Sequence, residues 1–146
     1  MRVLLLVVHA GLAAAWLGSM AYSLTVVQPR LQGYFGSDDD AHEAFVVALA
    51  HGNRWRVVSL VAALALSGVG LLLIDDGADL AIHLVKGGLL AAAAALFWYV
   101  SWRHWPRRVF ALPAERPALR GRLRLIAWTM LVLVGLAFAL GVVAGA

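Results

Sequence analysis

The sequence predicts an all-α fold: a four-transmembrane-helix bundle, up-down-up-down, with both termini on the periplasmic side. Three observations predict it. Of 146 residues, 63% are hydrophobic and 14% charged, with a mean hydropathy of +0.85, far greasier than a soluble domain of this length. The apolar residues fall into four runs, each near the ~20 residues a helix needs to cross ~30 Å of hydrocarbon. The arginines gather at one set of run ends, as the positive-inside rule describes.

The first span covers 3–27 and includes VVHAGLAAAWLGSMAYSLTVV. Arg2 precedes it and small residues dot it, as in a signal peptide, but a signal peptide's apolar region is shorter, so a retained helix is expected. Pro29 and GSDDDAHE follow. Residues 38–51 predict a short helix, capped by Asp38, Asp39 or Asp40, with AFVVALA as its apolar face. It would either extend the second span or lie on the membrane surface. The second span covers 55–74 and ends at DDGAD; the third covers 79–102. The stretch RHWPRRVFALPAERPALRGRLR, with three prolines, reads as a loop ordered against headgroups. The fourth span covers 123–144. The runs are too long, and alternate too little, for barrel strands. One integral-membrane domain, 1–146, is expected, with room to bury one narrow seam.

Four spans put loops one and three on one side, with both termini and loop two on the other. Arg30, Arg54, Arg56, Arg103, Arg107, Arg108, Arg116, Arg120, Arg122 and Arg124 fall on the first side. Arg2 stands alone on the second, beside Asp75, Asp76 and Asp79. Loops one and three are therefore assigned to the cytoplasm. Trp55, Trp98, Trp102 and Trp105 form an aromatic belt on that side, a role Trp16 and Trp128 do not fit. The high pI of 10.3 reads as topology. No basic stripe interleaves with exposed aromatics, and nucleic acid is not an expected partner. With no cysteine, disulfides, thiolate zinc sites, iron–sulfur clusters and cysteine nucleophiles are excluded.

Three ionisable residues stand inside apolar runs. His9 is seven residues into the first span and His83 four into the third, both counted from the same side. Lys86, at i+3 from His83, shares its face. A lysine at the centre of lipid costs about 2.5 kcal/mol or more unless paired or turned inward, so these residues are expected to face the bundle interior. Bis-histidine ligation of a non-covalent haem b is one solution, with His9 and His83 as metal ligands; no CxxCH motif for covalent attachment occurs. Lys86 and Arg2 would neutralise propionates. Gly87, Gly88 and Ala91 would admit a flat macrocycle, and Ala13 and Trp16 share the His9 face. The same residues fit a plainer reading, in which His9 hydrogen-bonds a neighbouring helix while His83 and Lys86 snorkel to the interface. His51 and His104 read as headgroup-level residues, with a second cytoplasmic-side site as the rival. His42 reads as a solvated loop residue. Gly68, Gly70, Gly135 and Gly141 read as packing contacts.

HAGLAAAWLGSMAYSLTVVQPRL resembles the first helix of small CopD-family membrane proteins, in which a histidine is followed by Trp-x-Gly and a distal proline; His9, Trp16, Gly18 and Pro29 match. RWRVVSLVAALALSGVGLLL, with Ser67 and Gly68, is similar to the family's second helix, AIHLVKGGLLAAAA to its third, and RGRLRLIAWTMLVLVGLAFALGVV to its fourth. The same group includes the HemJ-type protoporphyrinogen oxidase, where a first-helix histidine and a third-helix lysine are associated with haem b. His9 and Lys86 would take those places. Beyond Trp16 the chain departs from the oxidase pattern: its proline comes later and a basic-aromatic run is missing.

The CopD resemblance by name implies copper handling; the intramembrane residues and the resemblance taken together predict a multi-pass protein of the bacterial inner membrane that binds haem b and takes part in electron transport as an oxidoreductase component. A quinone or a partner redox protein would supply or accept electrons. Lys86 would be a propionate partner or a replacement ligand. The rivals are a HemJ-like porphyrinogen oxidase and a copper-handling or structural subunit of a larger complex. Met1, Met20 and Met130 are scattered, and soft ligands for copper are few. Small-residue faces on the second and fourth spans would permit a homo-oligomer.

Overall fold

The computed structural model describes residues 1–74 and 79–143. Asp75 and Asp76 of the second loop, and Ala144 at the expected end of the fourth span, lie outside the described residues. Among the described residues five helices follow in order: α1 (Arg2–Phe35), the short α2 (Asp39–Ala50), α3 (Asn53–Ile74), α4 (Leu80–Val109) and α5 (Pro113–Val143). No strand occurs among the described residues. All but α2 are long and apolar enough to cross a membrane, and the chain is a multi-pass membrane protein.

Three spans are longer than expected. α1 runs on past Pro29, and α4 past Pro106 into the stretch read as a loop. α5 starts ten residues before its expected beginning at 123. A proline in a helix removes one N–H and crowds the carbonyl four residues back. Both prolines are accommodated by the same device, a π-helical turn ending two residues upstream: Ser23–Val27 before Pro29 and Val100–His104 before Pro106. In the second, the Trp105 N–H bonds back to the Val100 carbonyl. Ser101's carbonyl is thereby passed over, and Pro106 offers no N–H to take it. Arg54 supplies the missing donor from α3, with Nη2 at 2.6 Å, while its guanidinium lies 4.6 Å from the centre of the Trp102 ring.

α1 packs against α3 and α5, and α4 against α5, while the seam between α3 and α4 is sparse. The close-packed layer at mid-height is Trp16, Leu64, Ala93, Met130 and Val134. Gly70 lets α1 come close to α3, whereas a side chain at Gly135 would make only ordinary contact with α1. A Cβ on Gly70 would meet Leu5 Cδ2 at 3.1 Å, and one on Gly135 would meet Leu17 Cδ1 at 3.7 Å.

The arginine end is held by ion pairs. Asp38 caps α2, accepting from the Ala41 N–H at 3.0 Å. Glycines at positive φ, Gly36 and Gly52, turn the chain into and out of α2; α2 therefore does not extend the second span. Its acidic first turns face α4 and α5. Arg108 donates Nε and Nη2 to the Glu43 carboxylate at 2.9 and 3.0 Å. Arg116 reaches Asp40 at 2.7 Å. Arg120 lies 3.0 Å from Asp39 and 3.1 Å from Glu43, at angles that make ion pairs rather than hydrogen bonds. His42, read as solvated, is buried beneath this clamp with its ring edge-on to Phe35. His104, read as a headgroup-level residue, is 1% exposed, and its Nε2–H donates to the Leu119 carbonyl at 3.1 Å. His51 is the exposed residue that ends α2.

Candidate cofactor cavity

The opposite end, where both termini lie, is less tightly packed. A cavity of about 650 Å³ opens there between all four long helices, within the ~300–1,000 Å³ of small-molecule and cofactor sites. Its walls are mostly apolar, supplied by Leu6, Leu72, Leu90 and Phe138 among others. Trp16, Leu64 and Val134 belong both to its lining and to the mid-height layer, so that layer is its floor. The bundle thus holds more than the narrow seam expected of its size. The sparse packing of α3 on α4 leaves room for it.

Most of the residues singled out from the sequence as ligands or cofactor contacts line this one space: His9, Ala13 and Trp16 from α1, and His83, Lys86 and Gly87 from α4. Ala91 joins them, whereas Gly88 and Arg2 do not. The spacing explains the α1 set. Positions 9, 13 and 16 differ by four and three residues and stack on one helix face. On α4, 83, 86, 87, 90, 91 and 94 continue the same pattern.

Depth follows from helical rise. His9 lies seven residues from the start of α1 and Lys86 six from the start of α4, about 10 and 9 Å at ~1.5 Å per residue. His83 is one turn nearer the end. Both imidazoles are anchored through Nδ1. His9 Nδ1 lies 2.7 Å from Ser67 Oγ on α3. His83 Nδ1 lies 3.0 Å from the Asp79 carbonyl, beside the cap in which the Asp79 side chain accepts from the Ala81 N–H at 2.9 Å. A Cβ on Gly87 would meet nothing within 4 Å, which leaves the α4 wall open beside Lys86.

The donor set is two imidazoles and an amine in an apolar chamber. Among the described residues, no three His, Cys, Asp or Glu side chains converge. That chemistry suits a group that carries its own equatorial ligands and needs only axial donors. His51 and His104 are absent from the cavity lining, and the Nε2 of His104 is committed to a backbone carbonyl. Sequence reasoning missed Ser67 as a partner of His9. Its signal was a hydroxyl, one of two in that helix with Ser59, in an otherwise apolar run, followed by Gly68, where a Cβ would stand 3.3 Å from His9 Cε1.

No family model matches the chain, and no curated protein or solved structure matches it.

Proposed function

We propose that this chain is a haem b-binding protein of the bacterial inner membrane that serves in electron transfer. One observation carries the reading: His9, His83 and Lys86, from two different helices, line a single apolar cavity of cofactor size. Charged or imidazole side chains at membrane depth are costly and mark functional sites by default. His9 and His83 would hold the iron, Lys86 would neutralise a propionate or replace one ligand, and Gly87 with Ala13 leaves space for a flat group. Haem iron supplies a one-electron couple between its ferric and ferrous states. The apolar walls would keep water from it, which together with the ligating side chains would set its potential. A cofactor confined to one half of the bundle requires a redox partner protein or a quinone to complete transfer. The arginine end belongs in the cytoplasm on the positive-inside rule, which puts the cavity on the periplasmic side. The resemblance of the first and third helices to small CopD-family proteins supports the same reading.

An absorbance spectrum of protein purified from a bacterial membrane tests it. Reduced-minus-oxidised Soret and alpha bands are expected in the wild type and lost in His9→Ala. A wild-type protein without these bands, even after incubation with haemin, would refute the reading; bound copper in its place would favour a copper-handling subunit.

A second reading, oxidation of a porphyrinogen as in HemJ-type enzymes, is favoured by depth: helical rise puts Lys86, rather than His83, near the level of His9. Porphyrinogen oxidation by the wild type that Lys86→Met abolishes, with haem content unchanged, would select it.

A further inference from the structure

We propose that Ser67 is a positioning residue: it fixes His9 as the tautomer with its proton on Nδ1, so that Nε2 carries the lone pair available to the cavity. This rests on the reading of His9 as a ligand, but the tautomer itself can be measured without any cofactor.

The argument is a count of protons. A serine hydroxyl has one proton to donate. Ser67 Oγ lies 2.7 Å from the Ala63 carbonyl and 3.1 Å from the Leu64 carbonyl. Carbonyl oxygens only accept, so the hydroxyl proton is spent within α3. The 2.7 Å contact between Ser67 Oγ and His9 Nδ1 must then be donated by the ring. A neutral imidazole has one N–H, so Nε2 is left as the lone pair. The ring orientation is fixed as well. Gly68 leaves just enough room for His9, since a Cβ there would stand 3.3 Å from Cε1, tighter than ordinary contact. Ser67 and Gly68 together form a seat on α3 for an imidazole carried by α1.

His83 reaches the same state by another route. Its Nδ1 is 3.0 Å from the Asp79 carbonyl, an acceptor, so its proton also lies on Nδ1. Two Nε2 lone pairs from two helices are thereby offered to one space. Partners that fix a ligating histidine's tautomer and orientation tune its affinity for metal by about 10–100-fold when removed.

The test uses ¹⁵N-histidine-labelled apo-protein in lipid nanodiscs, at a pH where His9 is neutral, with Ser67→Ala and Ser67→Thr beside the wild type. Nitrogen spectra should place the His9 proton on Nδ1 in the wild type. In Ser67→Ala a population protonated on Nε2 should appear; Ser67→Thr, which keeps the hydroxyl, should resemble the wild type. Haemin titration should show affinity reduced about 10–100-fold in Ser67→Ala and restored in Ser67→Thr. A wild-type His9 protonated on Nε2, or a Ser67→Ala protein that binds haemin as tightly as the wild type, would overturn the proposal. If the wild type takes up no haemin, it is the haem reading that fails; the role of Ser67 is then judged by the spectra alone, and an unchanged Ser67→Ala spectrum refutes it.

Discussion

Glu43→Gln should loosen α2 from the bundle while leaving the four long helices packed. Glu43 accepts both Arg108 nitrogens at 2.9 and 3.0 Å and sits 3.1 Å from Arg120 Nε. The Arg108 side chain is 5% exposed and that of Glu43 13%. Glutamine preserves the shape but removes the charge, leaving Arg108 buried without its counter-ion. Breaking a buried pair from one side costs about 3–5 kcal/mol; the lower end applies here because Glu43 keeps some contact with solvent. At ~1.4 kcal/mol per decade, ~3 kcal/mol makes the undocked state about a hundredfold more populated. Hydrogen exchange measures that population directly, because the α2 amides open as a local unit. They should exchange about a hundredfold faster, with amides around Trp16 and Met130 unchanged. The double variant Glu43→Leu/Arg108→Met, which removes both charges, should recover most of the protection. Exchange in α2 within about threefold of wild type would refute the claim that this clamp holds the helix.

The same clamp predicts an acid limit. Burial alone would raise the Glu43 carboxyl, but the Arg108 hydrogen bonds and the charges of Arg108 and Arg120 outweigh it and hold the group below the ordinary value of 4.5. Its contribution is therefore complete above that value and lost as pH falls through the lower folded-state value; α2 should stay protected at pH 5 and loosen only in stronger acid, as hydrogen exchange across a pH series would show. Ala93→Leu should cost about 1–3 kcal/mol by overpacking, since Ala93 is 0% exposed in the mid-height layer; equilibrium unfolding in mixed micelles would read the loss. Arg54→Ala orphans the Ser101 carbonyl and should cost about 1–3 kcal/mol in the same assay, whereas Arg56→Ala, an exposed neighbour, should change little.

The membrane class and the four long helices were legible because hydropathy is a sum over ~20 residues and tolerates local exceptions. Helix ends were not. Pro29 and Pro106 look like stop signals to a local rule, and what lets the helices pass them is a π-turn whose cost is offset by a donor on another helix, Arg54 in the second case. The cavity-facing residues were legible for the opposite reason: His9, Ala13 and Trp16 repeat at helical spacing, and imidazoles in a greasy run must turn inward. His42 and His104 were misjudged because burial near the helix ends depends on which loop folds back over which. Nothing in GSDDDAHE announces that Asp39, Asp40 and Glu43 will each meet an arginine more than sixty residues later.

The two ends of the bundle divide the physical tasks. At the arginine end, α2 and the start of α5 close over Arg108 and His104, each held by a charged or hydrogen-bonded partner from another element. At the end carrying the termini, the bonds that matter are few and serve single side chains: Ser67 to His9, and the Asp79 carbonyl to His83. The layer of Trp16, Leu64, Ala93, Met130 and Val134 separates the two regimes. A cavity in a close-packed protein forfeits the dispersion contacts its lining would otherwise make, so something else must keep the bundle closed around it. The ion-pair clamp and the mid-height layer do so from one side, which lets α3 and α4 stay apart at the other. The sparse α3–α4 seam, a defect if stability were the only demand, is then the feature that leaves open the cavity lined by His9 and Lys86.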